Sequence, residues 1–214
     1  MLYIFIKRFI DILSSLFGLV ILFPLLFLIA IAIKLDSSGP ILADTPKRVG
    51  QNGKLFRMYK FRSMFIGAHD ILHNDPKYKE LLNQYKKNSY KLDINEDPRI
   101  TRVGKFIRKT SLDELPQMLN IIRGEMSVVG PRAYYPFELE EQQVKYPTSR
   151  KFVKIILSGK PGLTGVWQVS GRSEINFDKR VEIDSKYIDR KNIFYDLWII
   201  LKTVPAVLTG RGAL

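Results

Sequence analysis

From Ile12 to Ile33 the chain carries no charged residue. A run of roughly 22 residues wound as a helix reaches about 33 Å, enough to cross a hydrocarbon layer, so the rest of the chain must fold beside a membrane-length apolar element. Pro24 falls near its middle, where it removes an amide donor and crowds the carbonyl four residues earlier. A sharp bend is expected there. Positive charge flanks both ends, with Lys7 and Arg8 before and Lys34, Lys47 and Arg48 after. Cationic flanks favour the cytoplasmic side, so the pattern predicts a re-entrant helical hairpin that enters one leaflet and returns. The alternative is a Pro-kinked transmembrane helix, which membranes tolerate. A cleaved leader, with Lys7-Arg8 as its basic start and Ala30-Ile31-Ala32 as a loose cleavage site, is a poorer fit because the apolar run is too long. Asp11, four residues from Lys7, is placed to pair with Lys7 or Arg8 at the headgroup level.

The 214 residues leave room for one domain with a real core plus this appendage. Lys and Arg number 34 against 21 Asp and Glu, a net charge of +13, so the expected partners are anionic: phosphate groups, acidic lipid or nucleic acid. Cysteine is absent, which excludes disulfides, a thiolate nucleophile and Cys-based zinc sites. After the apolar run the chain turns polar. Gln51-Asn52-Gly53 is a strong turn signal between Ile41–Val49 and Leu55–Phe61 and predicts a β-hairpin. For several of the cations around it (Lys47, Arg48, Lys54, Arg57, Lys60, Arg62) the plain reading is a solvated hairpin face. Residues from about Ala68 to Tyr90 read as polar helix interrupted at Asp75-Pro76. His69 and His73 lie four apart, but Asp70 stands where a zinc-protease motif has Glu, so both are read as surface residues.

Chemistry concentrates further on. Thr101 is a predicted N-cap for a helix whose Val103, Phe106 and Ile107 form an apolar stripe beside Arg102, Lys105, Arg108 and Lys109, a composition suited to an anionic membrane surface. Ser111 and Glu114 match a capping box. Pro116, however, fits best in a first helical turn, which pushes Asp113 and Glu114 ahead of the next helix and leaves Asp113 without a structural explanation. Adjacent carboxylates behind a basic run are suited to hold a divalent cation and attack phosphorus. Downstream, Arg123 to Arg132 reads as a helix end, a short buried strand and a tight turn presenting Arg132. Pro161 to Arg172 places three glycines, Thr164 and Arg172 around another short strand. Glycine-rich turns let backbone amides approach an anion, and arginine grips phosphate oxygens bidentately.

These motifs together resemble the bacterial sugar transferase family, the monotopic phosphoglycosyl transferases. The likeness rests on Lys7-Arg8-x-x-Asp11, Arg48-Val49-Gly50, Tyr59-Lys60-Phe61-Arg62-Ser63-Met64, Leu112-Asp113-Glu114-Leu115-Pro116-Gln117, Gly130-Pro131-Arg132 and the Pro161 to Arg172 segment, in that order from about Lys7 to about Thr203. The resemblance implies transfer of a phosphosugar from a UDP-sugar to undecaprenyl phosphate, with release of UMP and a requirement for Mg2+. It assigns Asp113 as the nucleophile that forms a covalent phosphosugar intermediate, and Glu114 as its partner in catalysis or metal binding. Arg132 is implied to hold phosphate, with Arg48 and Arg172 as further phosphate-binding candidates. It also implies an anchor marked by Lys7, Arg8, Asp11 and Pro24, a place on the cytoplasmic face of the bacterial inner membrane, and downstream glycosyltransferases as partners. Galactose or glucose is the expected sugar, with an N-acetylated sugar as the rival. The chain departs from the family pattern at Phe23, where serine usually precedes the hairpin proline, and at Ala133, where a second proline follows the arginine.

The fold expected is an α-rich α+β arrangement: a membrane hairpin over residues 1–36, then a cytoplasmic catalytic domain over 37–214 with short strands and interfacial amphipathic helices. Phe177 to Lys191 reads as a polar helix. Ile193 to Leu208 is apolar at near-helical spacing, but Asp196, Lys202 and Pro205 suit interface or core better than a second span. A membrane-tethered nucleic-acid-binding protein and a non-catalytic scaffold are the other classes. Neither gives a reason for the paired acids, so nucleic acid is not an expected partner.

Overall fold

The computed structural model describes residues 2–88, 90, 92–171 and 175–208. The apolar run forms two helices, α1 (Leu2–Ile21) and α2 (Phe23–Asp36), bent by 63° where they meet. The break lies at Leu22, just ahead of the proline, so Pro24 occupies the first turn of α2, where a missing amide costs nothing. Among the described residues no single helix is long and apolar enough to cross a membrane. The outer faces of both helices expose large apolar side chains, among them Phe5, Phe9, Phe17, Phe23, Phe27 and Leu28.

Both arms are tied to the same body. On α1, Gly18 approaches the Met118 side chain, and Arg8 donates to the carbonyls of Ile121 and Ile122 at the end of α6 (Met118–Arg123). That is a favourable place for a cation. Asp11 does not pair with Lys7 or Arg8. It is buried, and its Oδ1 accepts the Val128 amide at 2.9 Å in β3 (Ser127–Val129), while Lys7 bonds Asp196 at 2.7 Å. A strand amide left inside the fold needs an acceptor, and that need outweighs a pairing at the surface. On α2, Ile29 and Ile33 pack with Phe61 and Ile107, the latter on α5 (Arg102–Lys109), and Asp36 accepts the Val103 amide. Arg62 closes the end of α2 by donating to the carbonyls of Ser38, Ser37 and Ile33.

The hairpin forms as β1 (Arg48–Val49) antiparallel to β2 (Leu55–Phe56), in the register Arg48 to Phe56. Asn52 and Gly53 both take left-handed φ, at 56° and 78°, which the Asn-Gly pair tolerates. The ladder is shorter than the apolar runs suggest, and isolated bridges extend it, Leu42 to Phe61 and Val49 to Tyr134. The Ala68–Tyr90 stretch forms α3 (Ala68–Asn74) and α4 (Lys79–Lys87), parted at Asp75-Pro76 as expected. His69 and His73 are half-buried rather than surface residues, with rings 4.3 Å apart packed towards Phe137. Among the described residues no group of three metal-ligating side chains assembles anywhere.

A second strand pair carries the phosphate-type turns. β3 runs parallel to β4 (Gly162–Thr164), and the crossover between them holds α7 (Pro136–Lys145) and α8 (Arg150–Ile156). The backbones meet so closely that a Cβ on Gly162 would lie 2.1 Å from the Gly130 nitrogen. Only glycine fits there. The short α9 (Val166–Val169), α10 (Phe177–Arg190) and α11 (Ile193–Leu208) complete the body. α11 buries Ile199 and leaves Phe194, Leu197, Trp198, Leu201 and Val204 exposed. It is amphipathic, half core and half open apolar face. The result is a helix-rich α+β fold with few, short strands.

Candidate active site

The paired acids sit where a helix fails to start. α5 ends at Lys109, Ser111 takes a left-handed φ of 57°, and a 3-10 turn follows over Leu112–Gln117, with regular helix resuming only at Met118. Pro116 lies inside that turn, and Asp113 and Glu114 precede the helix, as the proline argument requires. The capping box does not form. Ser111 makes no side-chain cap, and the Glu114 carboxylate turns to Lys60 at 2.6 Å.

Lys60 is the main residue of this site that sequence reasoning did not single out, and it is drawn inward rather than solvated on the hairpin face. The Phe61 amide donates to the Asp113 carbonyl at 2.9 Å, which lays this strand along the acid-bearing turn. Lys60 Nζ then reaches Glu114 and stands 3.9 Å from Asp113 Oδ2. Fully buried Asn120 fixes the same strand from the far side, accepting from the Tyr59 amide and donating to the Arg57 carbonyl and to Glu125. The Tyr59 to Met64 motif, part of the family likeness, was the available signal. Arg62 was likewise placed on that face, but it is buried under the end of α2.

Asp113 is 8% exposed. Burial drives its carboxyl up to about 6, with Glu114 adding to the rise and Lys60 opposing it. At neutral pH it is mostly ionised and poorly hydrated, the condition of a reactive carboxylate.

A cavity of about 570 Å³ opens over these groups. It brings Asp113 and Glu114 together with Arg48 and Arg132, from segments far apart in sequence, and adds Lys60 and Arg108. Arg132 follows the Gly130-Pro131 turn. Its own amide is held by Asp184 Oδ2 at 3.0 Å, and its guanidinium lies 5.0 Å from the Trp167 ring. Arg48 stacks 3.3 Å from the centre of the Tyr135 ring, donates to the Ala133 carbonyl and stands 4.0 Å from Glu138. Ala133, in place of a second proline, leaves the turn formed and the arginine in the cavity. Arg172 lies outside the described residues. Thr164 lines the cavity and shares a 2.7 Å hydroxyl contact with Thr203 of α11. Leu115, Val128, Leu163, Ile200 and Val204 also line it. The cavity thus combines cations suited to anions, the paired acids and apolar side chains that come partly from the exposed helix α11.

Two adjacent carboxylates without a third acidic ligand suit Mg2+, which keeps several waters and completes its shell with substrate phosphate oxygens. Such a site would rest on Asp113 and Glu114, with Lys60 yielding its contact to Glu114.

Comparison with known proteins identifies the family. Residues 2–210 match the bacterial sugar transferase family. The galactosyl transferase CpsE of Streptococcus agalactiae is 43% identical over 208 residues, covering 97% of this chain and 43% of that protein. The exopolysaccharide production protein ExoY of Sinorhizobium fredii is 40% identical over 207 residues, covering 97% and 87%. The undecaprenyl-phosphate galactose phosphotransferase of Salmonella typhimurium is 42% identical over 213 residues, covering 98% and 42%. The chain therefore spans less than half of two of these relatives and most of the third. It belongs to the bacterial sugar transferase family.

Proposed function

We propose that the protein transfers a sugar phosphate from a UDP-sugar to undecaprenyl phosphate, releasing UMP, as the first membrane step in building an exopolysaccharide, capsule or O-antigen. The observation that carries this reading is the single cavity that combines Asp113 and Glu114 with Arg132, Arg48 and apolar side chains from α11. Arg132 and Arg48 receive the diphosphate. An Asp113 oxygen attacks the phosphorus bearing the sugar, the bond to the bridging oxygen breaks, and UMP leaves with that electron pair. The acceptor's phosphate oxygen then attacks the same phosphorus and frees the carboxylate. Splitting the transfer this way lets two anionic substrates react in turn and gives ping-pong kinetics. Lys60 offsets charge between the two carboxylates, and Arg172 is a further phosphate ligand on the family likeness. Mg2+ held by Asp113 and Glu114 supplies charge neutralisation on the phosphate oxygens.

Residues 1–36 act as the anchor and 37–214 as the catalytic domain on the cytoplasmic face. By helical rise the arm from Arg8 to Leu22 is about 21 Å and that from Leu22 to Lys34 about 18 Å. With a 63° bend and level ends, the apex lies roughly 10 Å deep, within one leaflet of about 15 Å. Because both arms dock on one body, a re-entrant hairpin suits the fold better than a span, and it sets the cavity where a polyprenyl phosphate headgroup lies. The sugar is galactose or glucose, in keeping with relatives named for each. Its lipid-linked product passes to downstream glycosyltransferases.

The test is UMP release over a panel of UDP-sugars with polyprenol phosphate present and magnesium varied. Turnover of UDP-galactose or UDP-glucose, with a labelled phosphosugar adduct on the protein, is expected. Consumption of no sugar nucleotide would end this reading. Since the chain has no cysteine, single cysteines near Lys7 and Lys47 test the anchor. Labelling of both from the cytoplasmic side alone is expected, and opposite-side labelling would mean a span.

A further inference from the structure

Arg180 heads the fully buried side chains by size and has no exposed surface. Its Nη2 donates to the Ile175 carbonyl at 3.0 Å, while Nε and Nη1 meet no acceptor. Its guanidinium centre lies 5.3 Å from the Trp167 ring, the same ring that Arg132 approaches at 5.0 Å. A buried guanidinium with two unmatched donors beside a second guanidinium disfavours folding, and an apolar side chain of similar length would fit the space at less cost. Such a charge calls for a return elsewhere.

The neighbouring contacts show where that return lies. Asp184, one turn further along α10 and also buried, accepts the Arg132 amide through Oδ2, while its Oδ1 meets no hydrogen-bond donor and the nearby Trp167 amide helps to stabilise its charge. It therefore ties the Gly130–Arg132 turn to the turn after β4, the two segments that bring Arg132 and Trp167 to the cavity. Arg180 and Asp184 form no direct ion pair, yet Arg180 is the nearest cation on the carboxylate's own helix. We propose that Arg180 is a positioning residue for the transfer reaction: as the buried counter-charge of Asp184, it keeps that carboxylate an acceptor for the Arg132 amide, with the Trp167 amide close by, and so fixes the Arg132 guanidinium where a diphosphate must sit. The proposal rests on the functional reading above.

Other groups around Asp184 do not replace Arg180. Arg132 and Tyr134 face it from the turn after β3, Tyr195 from α11, and Glu138 of α7 lies beyond Tyr134. The tyrosines are neutral, and the charge of Arg132 pulls on the carboxylate less than that of Arg180. Burial already lifts the Asp184 carboxyl to about 7, against the pull of two amides, Arg180 and Arg132. Losing Arg180 moves it higher still, so at neutral pH the carboxyl takes up a proton and holds the amides weakly.

The test compares Arg180→Met and Arg180→Lys with the unaltered protein by thermal unfolding, pyrophosphate affinity and UMP-release kinetics from about pH 6 to about pH 9. The methionine variant is expected to melt at the same temperature or higher. It is also expected to lose about tenfold or more in pyrophosphate affinity and in kcat/KM at neutral pH, chiefly through KM, with most of the loss recovered at the alkaline end. The lysine variant keeps the charge and is expected to stay within about threefold. A lower melting temperature with a pH-independent loss that follows the folded fraction would make Arg180 merely structural and overturn the proposal. Unchanged affinity and kinetics would do so as well. Pyrophosphate binding keeps the two readings apart: weakened binding in Arg180→Met while the unaltered protein turns over no sugar nucleotide would refute the function and retain the role of Arg180.

Discussion

Asp113→Asn separates chemistry from stability, because the two should move in opposite directions. The carboxyl ionises at about 6 in the folded protein against 3.8 as its ordinary value. Below the lower value both states hold the proton and Asp113 contributes nothing. As pH rises between the two, the unfolded chain gives up the proton first, so stability falls with pH, and the loss is complete above the folded value. At about 1.4 kcal/mol for each unit, the charged carboxylate destabilises the fold by on the order of 3 kcal/mol at pH 7.5. Asparagine is nearly the same shape and cannot ionise. The variant should therefore melt at least about 5 °C higher than the unaltered protein at pH 7.5 and at nearly the same temperature near pH 4. UMP release should drop by about a thousandfold or more, since an amide oxygen is no nucleophile for phosphorus. Paired melting curves and a UMP assay on one purified sample decide both points. Equal melting temperatures at pH 7.5 would refute the desolvation argument, and retained UMP release would refute the covalent step.

Three further perturbations follow from the same geometry. Lys60→Met removes the charge that opposes the rise at Asp113, so the acid limb of the kcat/KM profile should move above about pH 6, with activity down about a hundredfold at neutral pH. An unmoved limb would remove Lys60 from the site. Arg132→Lys keeps the charge but loses the planar fork, and should raise the donor KM by about tenfold with little change in melting temperature. Gly162→Ala drives a methyl into the Gly130 backbone, 2.1 Å from its nitrogen, and should cost more than about 2 kcal/mol in a denaturant titration while breaking the β3–β4 pair. Wild-type stability would show that this approach is looser than described.

Local signals carried much of the fold. Pro24 announced the bend, Asn52-Gly53 the hairpin, Thr101 the start of α5 and Pro116 the displaced helix start, because each acts through its own backbone within a turn of the residue concerned. The site was legible as a set of residue types, Asp113, Glu114, Arg48 and Arg132, but not as an assembly. What the sequence concealed were choices of partner made across the fold. Asp11 turns from the lysine one turn away to an amide in β3, and Lys60 turns from solvent to Glu114. Spacing along a chain says nothing about such contacts, since the deciding quantity is which buried amide or charge lacks a partner after packing. Arg180 shows the same limit from the other direction. It falls in a segment read only as a polar helix, and packing of α10 against α8 and α9 makes it a buried charge.

On the proposed function, the three residues Lys60, Phe61 and Arg62 link the N-terminal helical arm to the paired acids within a single extended segment. Arg62 closes the end of α2, the Phe61 amide holds the backbone of Asp113, and Lys60 meets the Glu114 carboxylate. Around the Leu42–Phe61 bridge the chain is extended, and Phe61 packs with Ile33 and Ile107. This segment thus ties the backbone of Asp113 to the end of α2 through three consecutive residues. Under the proposed reaction at a membrane, a loose tether would leave the phosphate-binding end at a variable depth. A headgroup phosphate is confined to a narrow layer at the interface, and a displacement of about 1 Å already misaligns an in-line attack. On the proposed function, the short path from α2 to Asp113 belongs to the catalytic design as much as the paired acids do.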